Sequence, residues 1–465
     1  SDELVSFAKL VNNGSSLAEA SVRLMQDIDM SGIDWTPIGD TKYKFSGTFD
    51  GQNFIIYNLS MNNKSRVVYG GLFGRTTEDA VIRNVRLINC SLTGSSLSGG
   101  VAEHYGFVVG YHTGVVKNCF ADGKINGGSN IGGIAGYNAG MIEDCSVNGK
   151  LNGTSAVGGI TGRNSGAVRR CEMFGAITGT ANYIGGITGI STTGSVIENC
   201  CSAGKVQGTA SKNYMGGIAG NARGTIKNCY SICAIANTET NGQYYGGIAG
   251  CLSGTLENCV ALNPYVLVLN SDIYIGRTVG ISDEISNLSN NYAWAGMWFG
   301  TEQEQAPVTD AAVSPLTHTN GKGVDKEKVR SKTFWEDTVG FTFGDDGWTW
   351  TEGKMPRLAI GESFDWPRWL FTDEELTPES PFSIYYDNVI VTAAVAEAGT
   401  YTIIMAAYKE ETLINTEIVE EVFENPGKKM IVPEFQTNEA DTVKVMLWYS
   451  ADSMIPLCEP AEYSM

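Results

Sequence analysis

Along residues 67–290 the apolar positions come in runs of four to six, mostly β-branched and bracketed by Gly or Asn. Sustained 3.6-residue periodicity is missing, and a helical repeat would be weakened by so much glycine. The pattern predicts short strands joined at tight corners. It also repeats. A Gly-Gly-apolar-small-Gly pentad starts at Gly70, Gly132, Gly158, Gly185, Gly216 and Gly246, with degenerate copies at Gly106 and Gly276. Successive copies are 36, 26, 26, 27, 31, 30 and 30 residues apart. After each pentad comes a polar residue followed by Cys, at Cys90, Cys119, Cys145, Cys171, Cys200, Cys229 and Cys259. A third marker, Gly-x-apolar, follows at Gly123, Gly149, Gly175 and Gly204.

Three strands of about five residues with three corners account for roughly 26–30 residues. One copy is then one turn of a coil, and turns stacked about 4.8 Å apart satisfy each other's backbone groups. The expected fold is all-β: a right-handed, three-sided parallel β-helix with about eight repeated turns. Glycine supplies close backbone approach at the bends. Asn tolerates the left-handed region and can hydrogen-bond to its own kind in the next layer. Ile142 and Cys145 both point inward only if the strand bends between them, which places Asp144 at the bend. The seven cysteines therefore form a structural ladder of buried, reduced thiols. Parallel Cβ vectors about 4.8 Å apart are too distant for disulfides, and a linear file cannot converge on a tetrahedral metal.

The pentads resemble the GLUG motif of bacterial cell-surface proteins. The opening stretch agrees, from Glu3-Leu4, Phe7-Ala8 and Val11-Asn12 through Asp27-Ile28-Asp29, Trp35-Thr36-Pro37-Ile38-Gly39 and Phe45-Ser46-Gly47-Thr48-Phe49-Asp50-Gly51. The resemblance covers about residues 1–361. It implies surface adhesins and the non-catalytic repeats of large bacterial proteins, including peptidases that cleave immunoglobulin A. Residues 1–66 read as an N-terminal cap with the first turns, because Leu4, Phe7, Ala8 and Val11 share one helical face and an open coil end needs covering. Residues 291–361 read as a C-terminal cap. They hold Trp294, Trp298, Trp335, Trp348 and Trp350, and the segment from Trp335 to Leu358 is similar to the family's closing segment.

A linker is expected over 362–380, acidic and marked by Pro. Six or seven strand-like runs in 381–465 then suit a small antiparallel Ig-like β-sandwich. That tail resembles a β-domain appended to secreted bacterial proteins. The chain has 465 residues and a net charge of −19, but residues 101–262 carry +2 while 263–380 and 381–465 carry −10 each. Such a field disfavours nucleic acid and anionic membrane surfaces as partners. No apolar run is long enough to insert into a membrane. The chain starts at Ser1 with neither Met nor signal peptide, so a processed start with its address elsewhere is expected.

Chemistry is sparse. His104 and His112 lie in one degenerate turn beside Tyr105 and Tyr111, and Glu103 is expected to point away from them. Glu143, Glu198 and Glu257 occupy one slot before the polar-Cys pair and read as a solvated face. The basic residues of the coil are expected to scatter over different slots. HExxH, GxSxG and phosphate-loop motifs are missing from the sequence. No cofactor is expected; a structural Ca²⁺ is compatible with the acidic tail but has no EF-hand spacing behind it. Trp366 and Trp369, beyond the cap, are the candidates for glycan stacking. The expected role is non-enzymatic adhesion or ligand binding by a monomer at the bacterial cell surface, toward a host or matrix glycan, a protein or an envelope component. The alternatives are a carbohydrate-active β-helix lyase or hydrolase (a fold-level analogy) and the repeat region of an immunoglobulin A peptidase-like protein.

Overall fold

The structure, a computed structural model, describes residues 1–15, 20–62, 67–94, 103–180, 182–209, 213–237, 243–268, 274–284, 287–301, 319–344, 347–352, 354–360, 382–386, 391–395, 397–423, 427–431, 440–448, 457–458 and 460–464. The chain divides into two compact units, Ser1–Trp366 and Pro367–Met465.

The first unit is a parallel β-solenoid of about nine turns. Its strands assemble into four sheets, of ten (sheet I), eight (sheet II), eight (sheet III) and fifteen strands (sheet IV). One turn shows the construction. Asn130–Gly132 lies in sheet II, Ala135–Asn138 in sheet III, Met141–Glu143 in sheet I and Ser146–Gly153 in sheet IV. Each pairs in register with its equivalent in the next turn: Asn130 with Ala156, Ala135 with Thr161, Met141 with Ala167 and Ser146 with Glu172. Spacing predicts three strands a turn, and four occur. Asp144, with φ 53°, bends its run so sharply that the two halves join different sheets.

Inward positions stack into apolar columns. In this turn Ile131, Ile134, Ile142, Cys145, Val147 and Leu151 are all buried. Each such aliphatic side chain contributes roughly 1.5–3 kcal/mol by leaving water. An Ile142→Asp change would break a column by placing an unpaired charge in it. The pentad's last glycine has a steric cause. A Cβ on Gly162, Gly189, Gly220 or Gly250 would lie 2.6 Å from a backbone nitrogen of sheet II in the preceding turn. Sheets II and III thus back directly onto each other, with no room for a side chain at that position.

The first turns are covered by a helix over Asp2–Asn12, with Leu4, Ala8 and Val11 buried. Its Phe7 ring sits 6.2 Å from both Phe45 and Phe49, and Phe45 continues to Phe73 at 4.9 Å. The other end differs from a simple lid. After Lys322–Val324 adds to sheet IV beside Tyr292–Trp294, the chain turns back along the flank of the coil. We call the described residues of 325–358 the strap. It covers an outward column of sheet IV formed by Glu172, Cys201, Tyr230, Val260 and Tyr292, which are in register across five turns. Phe334 packs on Tyr292 at 5.3 Å, while Trp335 and Trp348 pack on Tyr230 at 5.5 and 5.3 Å. Tyr230 donates its hydroxyl to the Pro356 carbonyl at 2.7 Å. The tryptophans therefore seal a side of the coil, a place that composition alone does not indicate.

In the second unit, the strands Phe382–Tyr386, Val391–Val395 and Gly427–Ile431 form one antiparallel sheet in that order. Thr412–Phe423, Gly399–Lys409, Thr442–Trp448 and Ala461–Ser464 form the other. Ile384, Val391, Ala393 and Val395 from the first share a core with Ile403, Met405, Val443, Val445 and Leu447 from the second. Period-2 burial over Thr442–Trp448 gives the expected half-buried strand. The expected linker, 362–380, lies outside the described residues.

Candidate functional site

A parallel coil turns every repeat position into a column, so its chemistry is read column by column. The polar residue at the bend between sheets I and IV is left-handed throughout. Asn84, Asn118, Asp144, Arg170, Asn199, Asn228, Asn258 and Asn290 have φ between 47° and 55°. Their side chains form a ladder: Asn118 Nδ2 donates to Asn84 Oδ1 at 2.7 Å, Asn258 Nδ2 to Asn228 at 3.1 Å and Asn290 Nδ2 to Asn258 at 2.8 Å. Behind it run the thiols of Cys119, Cys145, Cys171, Cys200, Cys229 and Cys259, all buried and free. Cys90 does not join them. It pairs in register with Gly123, further along sheet IV, and Asn84-Val85 fills the ladder position in its turn. Asn89 mimics the ladder residues because it too has a positive φ, 56°, and hydrogen-bonds to Asn58 in a second, shorter ladder. Burial pushes the Cys90 thiol up to about 12 and raises Cys119, Cys171 and Cys229 well above the usual thiol range. Among the described residues, no group of three or more His, Cys, Asp or Glu is placed to hold a metal.

The glutamate slot is not simply solvated: it shares its column with some of the coil's basic residues, while Lys124, Lys150, Arg163, Arg170 and Lys205 lie in other slots. Arg83, Lys117, Glu143, Arg169, Glu198, Lys227 and Glu257 occupy one column of sheet I. Charges there meet across turns: Lys117 with Glu143 at 3.0 Å, Arg169 with Glu198 at 3.2 Å and Lys227 with Glu198 at 2.8 Å. Glu172 is a separate case, in sheet IV rather than in this column. Fully buried under the strap, it receives Arg357 Nε at 3.1 Å, Arg357 NH2 at 2.6 Å and the Leu358 amide at 3.0 Å. Burial raises its pKa, and the Arg357 guanidinium opposes that shift. Aligning the repeats would have flagged it, since its column otherwise holds Ser146, Cys201 and Tyr230.

The outward positions of sheets II and III meet across the glycine corner and carry an aromatic face. In sheet II, Tyr183, Tyr214, Tyr244 and Tyr274 stack at 5.1, 4.7 and 5.2 Å. Further toward the N-terminal end, Tyr69 stacks on His104 at 5.6 Å. The adjoining column of sheet III reads Arg75, Tyr111, Tyr137, Arg163 in register. Its two tyrosine rings lie 4.5 Å apart and within 3° of parallel. The Arg75 guanidinium sits 5.0 Å from the Tyr69 ring and 4.5 Å from Tyr111, and Arg163 sits 5.9 Å from Tyr137. His104 meets Tyr111 and Tyr137 edge-on at 5.8 and 5.7 Å. Tyr137 and Ser165 share a hydroxyl hydrogen bond of 2.7 Å.

Neither arginine forms an ion pair among the described residues. Arg75 Nε and His104 Nδ1 are buried without a hydrogen-bond partner. Burial first, then the Arg75 and Arg163 charges, lower His104 to about 4, so its imidazole is neutral at neutral pH. His112 points the other way, into the coil. Its Nδ1 lies 3.1 Å from Thr76 Oγ1 and its Nε2 3.3 Å from the Met141 carbonyl. The two histidines of one turn therefore serve different sides of the wall and cannot share a ligand. The sequence signal for the aromatic face was a Tyr two residues before the pentad at Gly185, Gly216, Gly246 and Gly276. The glycan-stacking candidates Trp366 and Trp369 lie outside the described residues.

Residues 127–152 match the family model for the GLUG motif. Over 145 residues the chain is 31% identical to halomucin of Haloquadratum walsbyi, covering 28% of this chain and 2% of halomucin. Over 103 residues it is 33% identical to a protein of Evansella cellulosilytica named as a Gly-rich membrane protein, covering 21% of this chain and 11% of that one. The match thus spans a small fraction of either relative. Among solved structures, the chain resembles an immunoglobulin A1 protease-like protein from Bacteroides ovatus with a TM-score of 0.41 and 19% identity, covering 76% of this chain and 90% of that one.

Proposed function

We propose that this chain, a GLUG-motif β-solenoid, is a non-enzymatic bacterial surface protein whose coil presents a ligand-binding face. The observation that carries the reading is the pair of outward aromatic columns, whose tyrosines are half-buried apart from the exposed Tyr274 and repeat at the rung spacing of about 4.8 Å. Interior stacks on every side hold those columns in register, and an extended, pre-ordered surface lowers the entropic cost of binding a long ligand. The Evansella relative, named for a membrane protein, supports an envelope-associated location. The second unit supports an Ig-like reading by its two antiparallel sheets around one core. It would join the coil to further domains or to the envelope.

A polysaccharide lyase or hydrolase would need carboxylates free to act on substrate. Here Glu143 and Glu198 are paired across turns, and Glu172 is sealed beneath Arg357. The test is an array of glycans and matrix proteins probed with the full chain, with product release measured on the same polysaccharides. Saturable binding without turnover is expected. Robust turnover would replace the reading with an enzymatic one.

A further inference from the structure

We infer that the column Arg75–Tyr111–Tyr137–Arg163, with His104 beside it, is the binding site for a polysaccharide bearing carboxylates. The inference rests on the ligand-binding reading above and narrows it to one place and one chemistry. Arg75 and Arg163 are three rungs apart in register, roughly 14 Å at 4.8 Å per rung. Between them the stacked tyrosines turn their faces to each other, leaving ring edges and hydroxyls for the ligand. A guanidinium offers a planar fork that matches a carboxylate, and charge-assisted pairs of this kind are among the stronger hydrogen bonds. Arg75 Nε, buried with no partner, is one tine of such a fork. His104 Nδ1, also buried and unpartnered, is a second polar atom that the fold has desolvated without satisfying. Groups of that kind normally find partners, so their joint presence on one face marks a place where a ligand supplies them.

Charge selects the class. The chain carries −19, yet residues 101–262 carry +2, so an anion can approach the coil. Two guanidiniums about 14 Å apart suit a polymer whose carboxylates recur along a sugar backbone better than a densely sulfated one. An acidic peptide would seek main-chain hydrogen bonds at a strand edge. The strands carrying Tyr111, Tyr137 and Arg163 are paired on both sides, and the end strand Phe73–Arg75 is hydrogen-bonded on its outer side to Ile38 and Gly39, so the column offers no free edge. A chain with hydroxyls along its whole length gains more from tyrosine hydroxyls and an imidazole nitrogen.

The experiment titrates the full chain, at neutral pH and low salt, with hyaluronan, polygalacturonate, neutral dextran, dextran sulfate and poly-glutamate. Wild type is compared with Arg75→Ala, Arg163→Ala, Arg163→Lys and Tyr137→Phe, each checked for unchanged thermal unfolding. Binding to a carboxylated glycan is expected, weakened about tenfold by each Arg→Ala change and only partly rescued by lysine. Arg163 is exposed, so its variant keeps the test valid should Arg75→Ala disturb the packing. The inference is overturned if neither arginine matters, if neither carboxylated glycan binds, or if dextran sulfate or poly-glutamate binds more tightly than both. A neutral-glycan or matrix ligand indifferent to these variants would sink this site while leaving the surface-binding reading intact. Absence of binding to every class would count against both.

Discussion

Arg357→Ala is the sharpest probe of what holds the strap to the coil. The substitution leaves Glu172 buried, with only the Leu358 amide to satisfy its carboxylate. Breaking one side of a buried pair costs about 3–5 kcal/mol. Here part of the cost can be relieved by proton uptake, which fixes the sign of the pH dependence. The pKa of Glu172 is already raised in the folded chain, and losing the guanidinium raises it further. A group with a raised folded pKa contributes stability that is present below its unfolded value and lost as pH rises through the folded one. The deficit of Arg357→Ala should therefore be largest near neutrality and shrink in mild acid. A Glu172→Gln, Arg357→Met double variant, which removes both charges, should recover most of the loss. Hydrogen exchange over 330–358 and 172–179 reads the docking directly. Trp335 and Trp348, buried on Tyr230, report the same event by fluorescence. Exchange in the strap that matches wild type within about 0.5 kcal/mol at neutral pH would refute the assignment of the pair as its clasp.

Three further outcomes follow from the columns. Asn228→Ala should lower stability by about 2 kcal/mol, combining a strained positive φ with a lost ladder bond, whereas Asn228→Gly should cost less because glycine adopts that φ freely; chemical denaturation distinguishes them. Burial holds His112 at about 4, so the unfolded chain takes up its proton first as pH falls from 6.5, and up to about 3 kcal/mol is lost by pH 4. His112→Asn, which extends the Asn138–Asn164 hydrogen bond of that column, should flatten the acid limb of the stability curve. Thiol labelling of the native chain should reach Cys251 and Cys458 well before the nine buried cysteines, and all eleven after denaturation; early labelling of Cys145 would contradict the interior ladder.

Much of the coil was legible because its logic is local and repeated. A glycine that must let two backbones touch, or an asparagine that must turn left-handed, is named by sterics alone, and eight copies average out the exceptions. The N-terminal helix was legible for a similar reason, since Leu4, Ala8 and Val11 share a face whatever lies beneath. What failed was pairing over distance. Arg357 and Glu172 are 185 residues apart, and nothing in either neighbourhood signals the other. Cys90 failed differently: Asn89 shares a backbone conformation with the ladder asparagines, so a two-residue marker could not separate two bends in one turn. The aromatic face was visible only as tyrosines ahead of glycines. Whether adjoining columns face each other depends on the corner, which spacing does not specify.

The departures from the repeat sort into two kinds, and the sorting bears on function. Arg170 stands where other turns have asparagine, at φ 47°, and its guanidinium meets Asp144 through bonds of 2.6 and 3.1 Å. Asp144 is itself a departure one turn earlier, so the two compensate each other. Glu172 departs from its column and is compensated by Arg357. Arg75 and Arg163 depart as well, but no acid in the described chain answers them. Internal compensation predicts loss of stability on mutation; its lack predicts loss of binding instead. Arg170→Ala should cost about 2 kcal/mol, from the broken bidentate pair and from an alanine held at positive φ. Arg163→Ile, which continues the Ile190 position of the next turn, should leave stability within about 0.5 kcal/mol of wild type while removing carboxylated-glycan binding. If Arg163→Ile instead unfolded the coil, its guanidinium would be serving the fold, and the distinction between the two kinds of departure would fail.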